Sequence, residues 1–195
     1  MKIIMRIAAI AAVLLLVGCA HPISMAPKMS VFDDKQPTQK ISKNIGYYIS
    51  VDDRAREVTT PGGSGDTVRY FPYKDLEPGL YKMLSNSFND VYVVKSLDDR
   101  TFLTERKIAY VLIPKIETTS SSSSAFTWPP TDFIVSLECR AISLAGDVVW
   151  KTTAKGEGRA TFSEFKSDFS LSARRASEQA LLQLQKQIGE SPLAR

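Results

Sequence analysis

Phe133-Ile134-Val135-Ser136-Leu137-Glu138-Cys139-Arg140-Ala141-Ile142-Ser143-Leu144 decides the architecture, because its alternation is strict. Successive side chains of a strand point to opposite faces, so Phe133, Val135, Leu137, Cys139 and Ala141 share one side while Ser136, Glu138 and Arg140 share the other. One face is buried and the other meets solvent or a partner. Ala145-Gly146-Asp147 supplies a tight turn, and Val148-Val149-Trp150 opens a returning strand that runs toward Gly156 or beyond, completing an antiparallel hairpin. Cys139 then points inward, and a buried reduced thiol is preferred over a reactive nucleophile.

Downstream, Ala173, Ala176, Ala180, Leu181, Leu184 and Ile188 form the apolar stripe of an amphipathic helix over Leu171 to Ile188. Arg174, Arg175, Glu178, Gln183 and Lys186 lie opposite. Ser170 or Asp168 can cap its start, and Gly189 can end it in a left-handed conformation. Packing of the stripe against the sheet is favoured over adsorption to a membrane, because acidic and amide residues dilute the polar face.

Upstream, Ile108 to Ile116 is apolar on both faces, the mark of a central strand. Leu76, Leu80, Met83, Leu84 and Phe88 line one face of a helix between Lys74 and Asn89. Proline is tolerated only in a helix's first turn, so Pro78 predicts a start close to Glu77. Val91 to Val94 reads as a short strand and Asp99 to Arg106 as a small helix. Ile45, Tyr47, Ile49 and Val51 place another strand at the start of the globular part. Pro61 to Asp66 is a flexible turn, with a further strand from Thr67 to Phe71. Its glycines lack the Lys-Ser/Thr ending of a phosphate loop.

The first eighteen residues form a basic start, Lys2 and Arg6, and an apolar run from Ile7 to Val17. This is a signal peptide, too short to span a bilayer. Leu16-Val17-Gly18-Cys19 closely resembles the bacterial lipobox. The resemblance implies cleavage after Gly18, a diacylglycerol thioether on Cys19 and acylation (palmitate or similar) of the new terminus. Ala20 rather than Asp in the next position implies sorting to the outer membrane. Residues 19–42 hold Pro22, Pro27 and Pro37 among polar residues without an apolar period and read as a flexible tether. A single periplasmic domain follows at 43–190, then a tail at 191–195.

The chain has 195 residues, 44% of them hydrophobic and 24% charged, as an ordinary globular domain does. Two cysteines and one histidine are too few for zinc cages, iron–sulfur clusters or a disulfide scaffold. No cofactor or metal is expected. Of 25 basic residues, Lys2 and Arg6 belong to the leader, leaving 23 against 21 acidic ones, a balance of +2 that implies no affinity for nucleic acid. His21, beside the acylation site, offers nothing to a Ser–His–Asp or Cys–His arrangement. The acid pairs Asp33-Asp34, Asp52-Asp53 and Asp98-Asp99 read as solvated surface.

The best functional candidate is the segment from Thr118 to Pro130, where five consecutive serines precede Phe126 and Trp128. The two aromatics can anchor a partner or insert among lipid headgroups. Alternatively, Trp128 folds back over the sheet edge with the serines as spacer.

Tyr110-Val111-Leu112-Ile113 after the first helix, Gly146-Asp147-Val148-Val149-Trp150 and the terminal helix together give an order of elements. That order resembles the envelope domains shared by the TolB amino-terminal domain, curli-secretion lipoproteins and YajG-type lipoproteins. The resemblance covers roughly Ile45 to Gly189 and implies a non-enzymatic domain for docking or ring assembly. The expected fold class is α/β (α+β), a mixed sheet with an antiparallel hairpin packed against two main helices, one of them C-terminal. The expected partners are the membrane, reached through the N-terminal lipid, and an envelope protein or a second copy of the chain. Two alternatives stand beside this reading. An accessory lipoprotein of a lipid-transport ABC system would show an apolar groove between the Phe133 strand and the terminal helix. A tethered cell-wall or glycan hydrolase would show convergent carboxylates.

Overall fold

The computed structural model describes residues 20–124, 126–165 and 167–194; Cys19 and the expected leader lie outside them. The strands are β1 (Ala20–Pro22), β2 (Ile41–Tyr47), β3 (Val58–Pro61), β4 (Thr67–Tyr70), β5 (Phe88–Val93), β6 (Ile108–Ser121), β7 (Asp132–Ile142) and β8 (Val148–Arg159). The helices are α1 (Val51–Ala55), α2 (Pro72–Ser87), α3 (Arg100–Glu105), α4 (Phe162–Phe165) and α5 (Leu171–Gly189). Five strands form one sheet in the order β5-β2-β6-β7-β8, and three form a small sheet in the order β1-β4-β3. Strand β2 is parallel to β5 and β6, whereas β6, β7 and β8 run antiparallel. The expected α+β class holds, with α2 and α5 as its two long helices.

The alternation in β7 sets the layers. Phe133, Val135, Leu137, Cys139 and Ala141 are fully buried against the apolar stripes of α2 and α5. Burial pushes the Cys139 thiol up to about 12, so it stays protonated and inert, and the nucleophile reading falls away. Helix α5 approaches β8 very closely, because its facing residues are Ala173, Ala176 and Ala180 and the strand offers Gly156 and Gly158. A Cβ on either glycine would overlap helix backbone, with Ala176 O at Gly156 and Ser172 O at Gly158. An apolar groove between the hairpin and the terminal helix is therefore closed by packing.

The same helix also finishes the sheet edge. Gln179 and Gln183 accept from the backbone N–H groups of Glu157 and Lys155 at 2.6 and 2.7 Å, and Gln187 and Arg175 donate to Thr153 O and Arg159 O. Spaced four residues apart, these side chains form one row on the helix and occupy backbone groups along the Thr153–Arg159 part of the outer rim of β8, where another strand could otherwise pair.

On the opposite face of the sheet, α3 covers one end through a small cluster of Val94, Leu103, Ile108 and Val111. The rest carries a charged pattern from β6, β7 and β8, including Lys115 beside Glu117 and Lys151 bonded to Glu138 at 3.0 Å.

Several expectations are corrected. Residues 20–42 do not hang free: Met25 and Phe32 are fully buried in the main core, and β1 pairs in parallel with β4. Met25 N donates to Asp75 at 2.8 Å, Lys28 N to Glu178 at 2.9 Å, and Asn86 donates to Phe32 O at 2.9 Å. The tail packs too, with Leu193 buried and its carbonyl accepting from Lys43. Helix α2 starts at Pro72 rather than Glu77, and Pro78 lies inside it. A proline was already in place at the first position, and Tyr73 and Leu76 extend the buried face upstream. Strand β2 occupies Ile41–Tyr47 and ends before Val51, which is exposed at the start of α1. Gly189 takes no left-handed conformation; Glu190 follows it as a right-handed cap.

A part-buried network joins α1 to α2. Arg54 donates to both oxygens of Glu77 at 2.8 and 2.7 Å and to Ile49 O, and Tyr47 donates to Glu77 at 2.9 Å. The Arg54 hydrogen bond holds the Glu77 carboxyl below its ordinary value against the opposing effect of burial. A depressed folded-state value gives stability that is present above the unfolded value of 4.5 and lost as pH falls through the folded one. Asp75 works in the other direction, because burial raises its value and acid favours its folded form. Glu77→Gln is expected to lower stability at neutral pH and to flatten the acid limb of the urea midpoint measured against pH. An acid limb as steep as the parent's would remove Glu77 from the balance.

Candidate functional site: the aromatic loop end

The serine run is partly strand. Thr118 and Ser120 point inward at the end of β6, where their hydroxyls meet the Tyr70 hydroxyl at 2.6 Å and Thr60 at 2.7 Å. Ser121 pairs with Asp132. Hydroxyls with buried partners let a sequence too polar for a core continue a strand. The connection proper is therefore short and lies over the turn between β3 and β4.

The glycines of that turn have a structural purpose. Gly63 N donates to Trp128 O at 2.7 Å, and a Cβ at Gly62 or Gly63 would overlap the carbonyl of Trp128 or Thr127. Two backbones lie against one another, which only glycine permits. The turn cradles a protein loop.

Trp128 and Phe126, the two sequence candidates, part company here. Trp128 is folded back, with its ring stacked on His21 at 4.3 Å and 19° and tilted against Phe169 at 5.0 Å. His21 also reaches Asp66 at 3.2 Å. The sole histidine, expected on a tether, thus clamps β1 to the loop. Phe126 is 95% exposed.

Two further aromatics, which sequence reasoning missed, belong to the same end. Phe169, 51% exposed, touches Trp128, and Phe162, 64% exposed, lines an open hollow of about 850 Å³ with Ser124, Thr127, Arg159 and Arg175. Each is flanked on both sides by polar residues in the chain, and the spacing of Phe165 and Phe169, three and seven positions on from Phe162, is the only local signal that could have found them. Glu164 anchors this corner. Arg175 and the Thr161 backbone and hydroxyl hydrogen-bond its carboxylate and hold it down at about 2.

The acid pairs lie in separate places with separate tasks. Asp33 pairs with Lys82, Asp53 with Arg56, and Asp99 caps α3 through Phe102 N. Among the described residues, no group of three or more His, Cys, Asp or Glu side chains is placed to hold a metal ion. No described helix is long and apolar enough to cross a membrane.

The sequence matches no protein-family model and no curated protein. Among solved structures, the chain is similar to the PelC dodecamer from Paraburkholderia phytofirmans, with a TM-score of 0.41 and 15% identity over 75% of this chain and 94% of that one. A second likeness is to a protein from Helicobacter pylori provisionally described as a neuraminyllactose-binding hemagglutinin homolog, with a TM-score of 0.44 and 13% identity over 79% and 87%. A third is to a protein from Caulobacter crescentus CB15 provisionally described as a lipoprotein, with a TM-score of 0.36 and 13% identity over 84% and 97%. Scores and identities this low say nothing about what this chain does.

Proposed function

We propose that this chain is a lipid-anchored outer-membrane protein, facing the periplasm, that works by binding another component of the envelope rather than by catalysis. The observation that carries the reading is the continuity of anchor and fold. The lipobox-like Leu16-Val17-Gly18-Cys19 runs directly into Ala20, the first residue of β1, and β1 is clamped to the domain through His21 and Trp128. Acyl chains on Cys19 would make attachment effectively permanent, since each buried methylene contributes roughly 0.8 kcal/mol. Phe126, exposed two residues before the folded-back Trp128, is the apolar contact of that binding. The charged face of β6, β7 and β8 is the surface left for a protein partner or a second copy. Against the lipid-transport alternative stands the closed packing of α5 on β8, and against the hydrolase the separation of the acid pairs.

The test begins at the anchor. Cys19→Ser is expected to abolish fatty-acid labelling and to move the protein from the membrane to the soluble periplasmic fraction, and labelling that persists in the variant would sink the reading. A photo-crosslinker at Arg140, exposed on the charged face, should give one discrete adduct in intact cells. A smear of abundant proteins would argue against a specific partner there.

A further inference from the structure

We infer that the envelope component met by the aromatic loop end is the lipid surface itself, on which the domain sits directly with Phe126, Phe162 and Phe169 among the headgroups. The inference rests on acylation of Cys19. Ala20 is fixed in β1 opposite Thr67, beside the turn that cradles Trp128. Adjacent Cα atoms are only about 3.8 Å apart, so one residue separates an acylated Cys19 from the folded end. No tether remains to lift the domain away. The end so confined carries the three exposed phenylalanine rings of the described residues: Phe126 at the loop tip, Phe169 against Trp128 and Phe162 across the hollow.

Aromatic rings are favoured at the level of lipid headgroups, where an apolar body meets a polar boundary. Among the described residues, the guanidinium groups around these rings are ion-paired, Arg159 with Asp132, Arg174 with Asp168 and Arg175 with Glu164, and Asp66 is hydrogen-bonded to His21. Contact with lipid is therefore made by ring insertion and not by attraction to anionic headgroups. The charged face of β6, β7 and β8 remains open to the periplasm.

The acylated mature protein is reconstituted into vesicles of phosphatidylethanolamine and phosphatidylglycerol, with an environment-sensitive fluorophore on Phe126→Cys or Phe162→Cys. Cys139 is buried and does not compete for label. Asp147→Cys, in the β7–β8 turn at the far end of the hairpin, is the control. The labels at 126 and 162 are expected to brighten several-fold, shift to the blue, be quenched by spin-labelled acyl chains, and stay so at high salt, while the label at 147 behaves as in water. Water-like emission at 126 and 162 in vesicles that hold the protein would overturn the inference and leave the anchor intact. So would a signal lost at high salt, or shielding seen only in native envelopes and never in pure lipid, which would mean a protein covers the loop. Absence of diacylglycerol from Cys19 by mass spectrometry would instead remove the functional reading beneath it.

Discussion

Phe32→Ala will cost the domain about 3–5 kcal/mol, the usual range for emptying a fully buried aromatic site. At roughly 2–4 °C per kcal/mol for a chain of this size, the melting temperature should fall by about 6–20 °C. The figure is large because Phe32 is core, although it sits in a segment whose composition reads as linker. Its ring lies in the main cluster with Met25, Leu80, Met83 and Leu84, and Asn86 holds its carbonyl. Met29→Ala, in the same short 3-10 turn but with a partly exposed side chain, should stay within about 0.5 kcal/mol. Thermal melts of the two variants decide the matter. Equal and small losses would mean that residues 20–42 contribute no packing and that the tether reading was right.

Gly156→Val is expected to be at least as damaging, at about 3 kcal/mol or more, because helix backbone and not a movable side chain occupies the space. The new Cβ would overlap Ala176 O and crowd Ala180 N. Relief requires α5 to lift from β8, which would break the bonds from Gln179 and Gln183 to the strand as well as the apolar contact. Gly146→Ala is the matched control. Gly146 has φ of +95° in the hairpin turn but open space around it, so only backbone strain of about 1 kcal/mol is at stake. Urea midpoints for the pair should differ clearly, and a Gly156→Val protein as stable as Gly146→Ala would show that α5 is not seated as described.

Much of this fold was legible because burial leaves a period along the chain. The alternation from Phe133 to Ala141 and the stripe from Ala173 to Ile188 named their elements and inward residues, and β7 and α5 lie within a few residues of the expected bounds. The same reading failed where a residue's fate depends on one distant contact. Ile23, Met25, Met29, Val31 and Phe32 are scattered among prolines and polar residues without a sustained period, and Met25 and Phe32 are core only because the folded chain brings them into the main cluster. Gln179, Gln183 and Gln187 occupy what looks like a solvent face, yet they close a sheet edge more than twenty residues away in sequence.

The candidate site divides in the same way. Phe126 and Trp128 drew notice because aromatics after a serine run have no local core to join. Which of them is free was settled by His21 and Phe169, residues 107 and 41 positions away from Trp128.

The sequence by itself determined the α+β class, the buried faces of the hairpin and terminal helix, and a lipobox-like cysteine, since each is written in neighbouring residues. Only the tertiary structure decided that the chain after that cysteine is a strand, that glycines serve close backbone contacts, and that Phe126, Phe162 and Phe169 gather at one end. Contacts between segments far apart in the chain impose no period on either segment, so the residues that make them look like any others until the chain has folded.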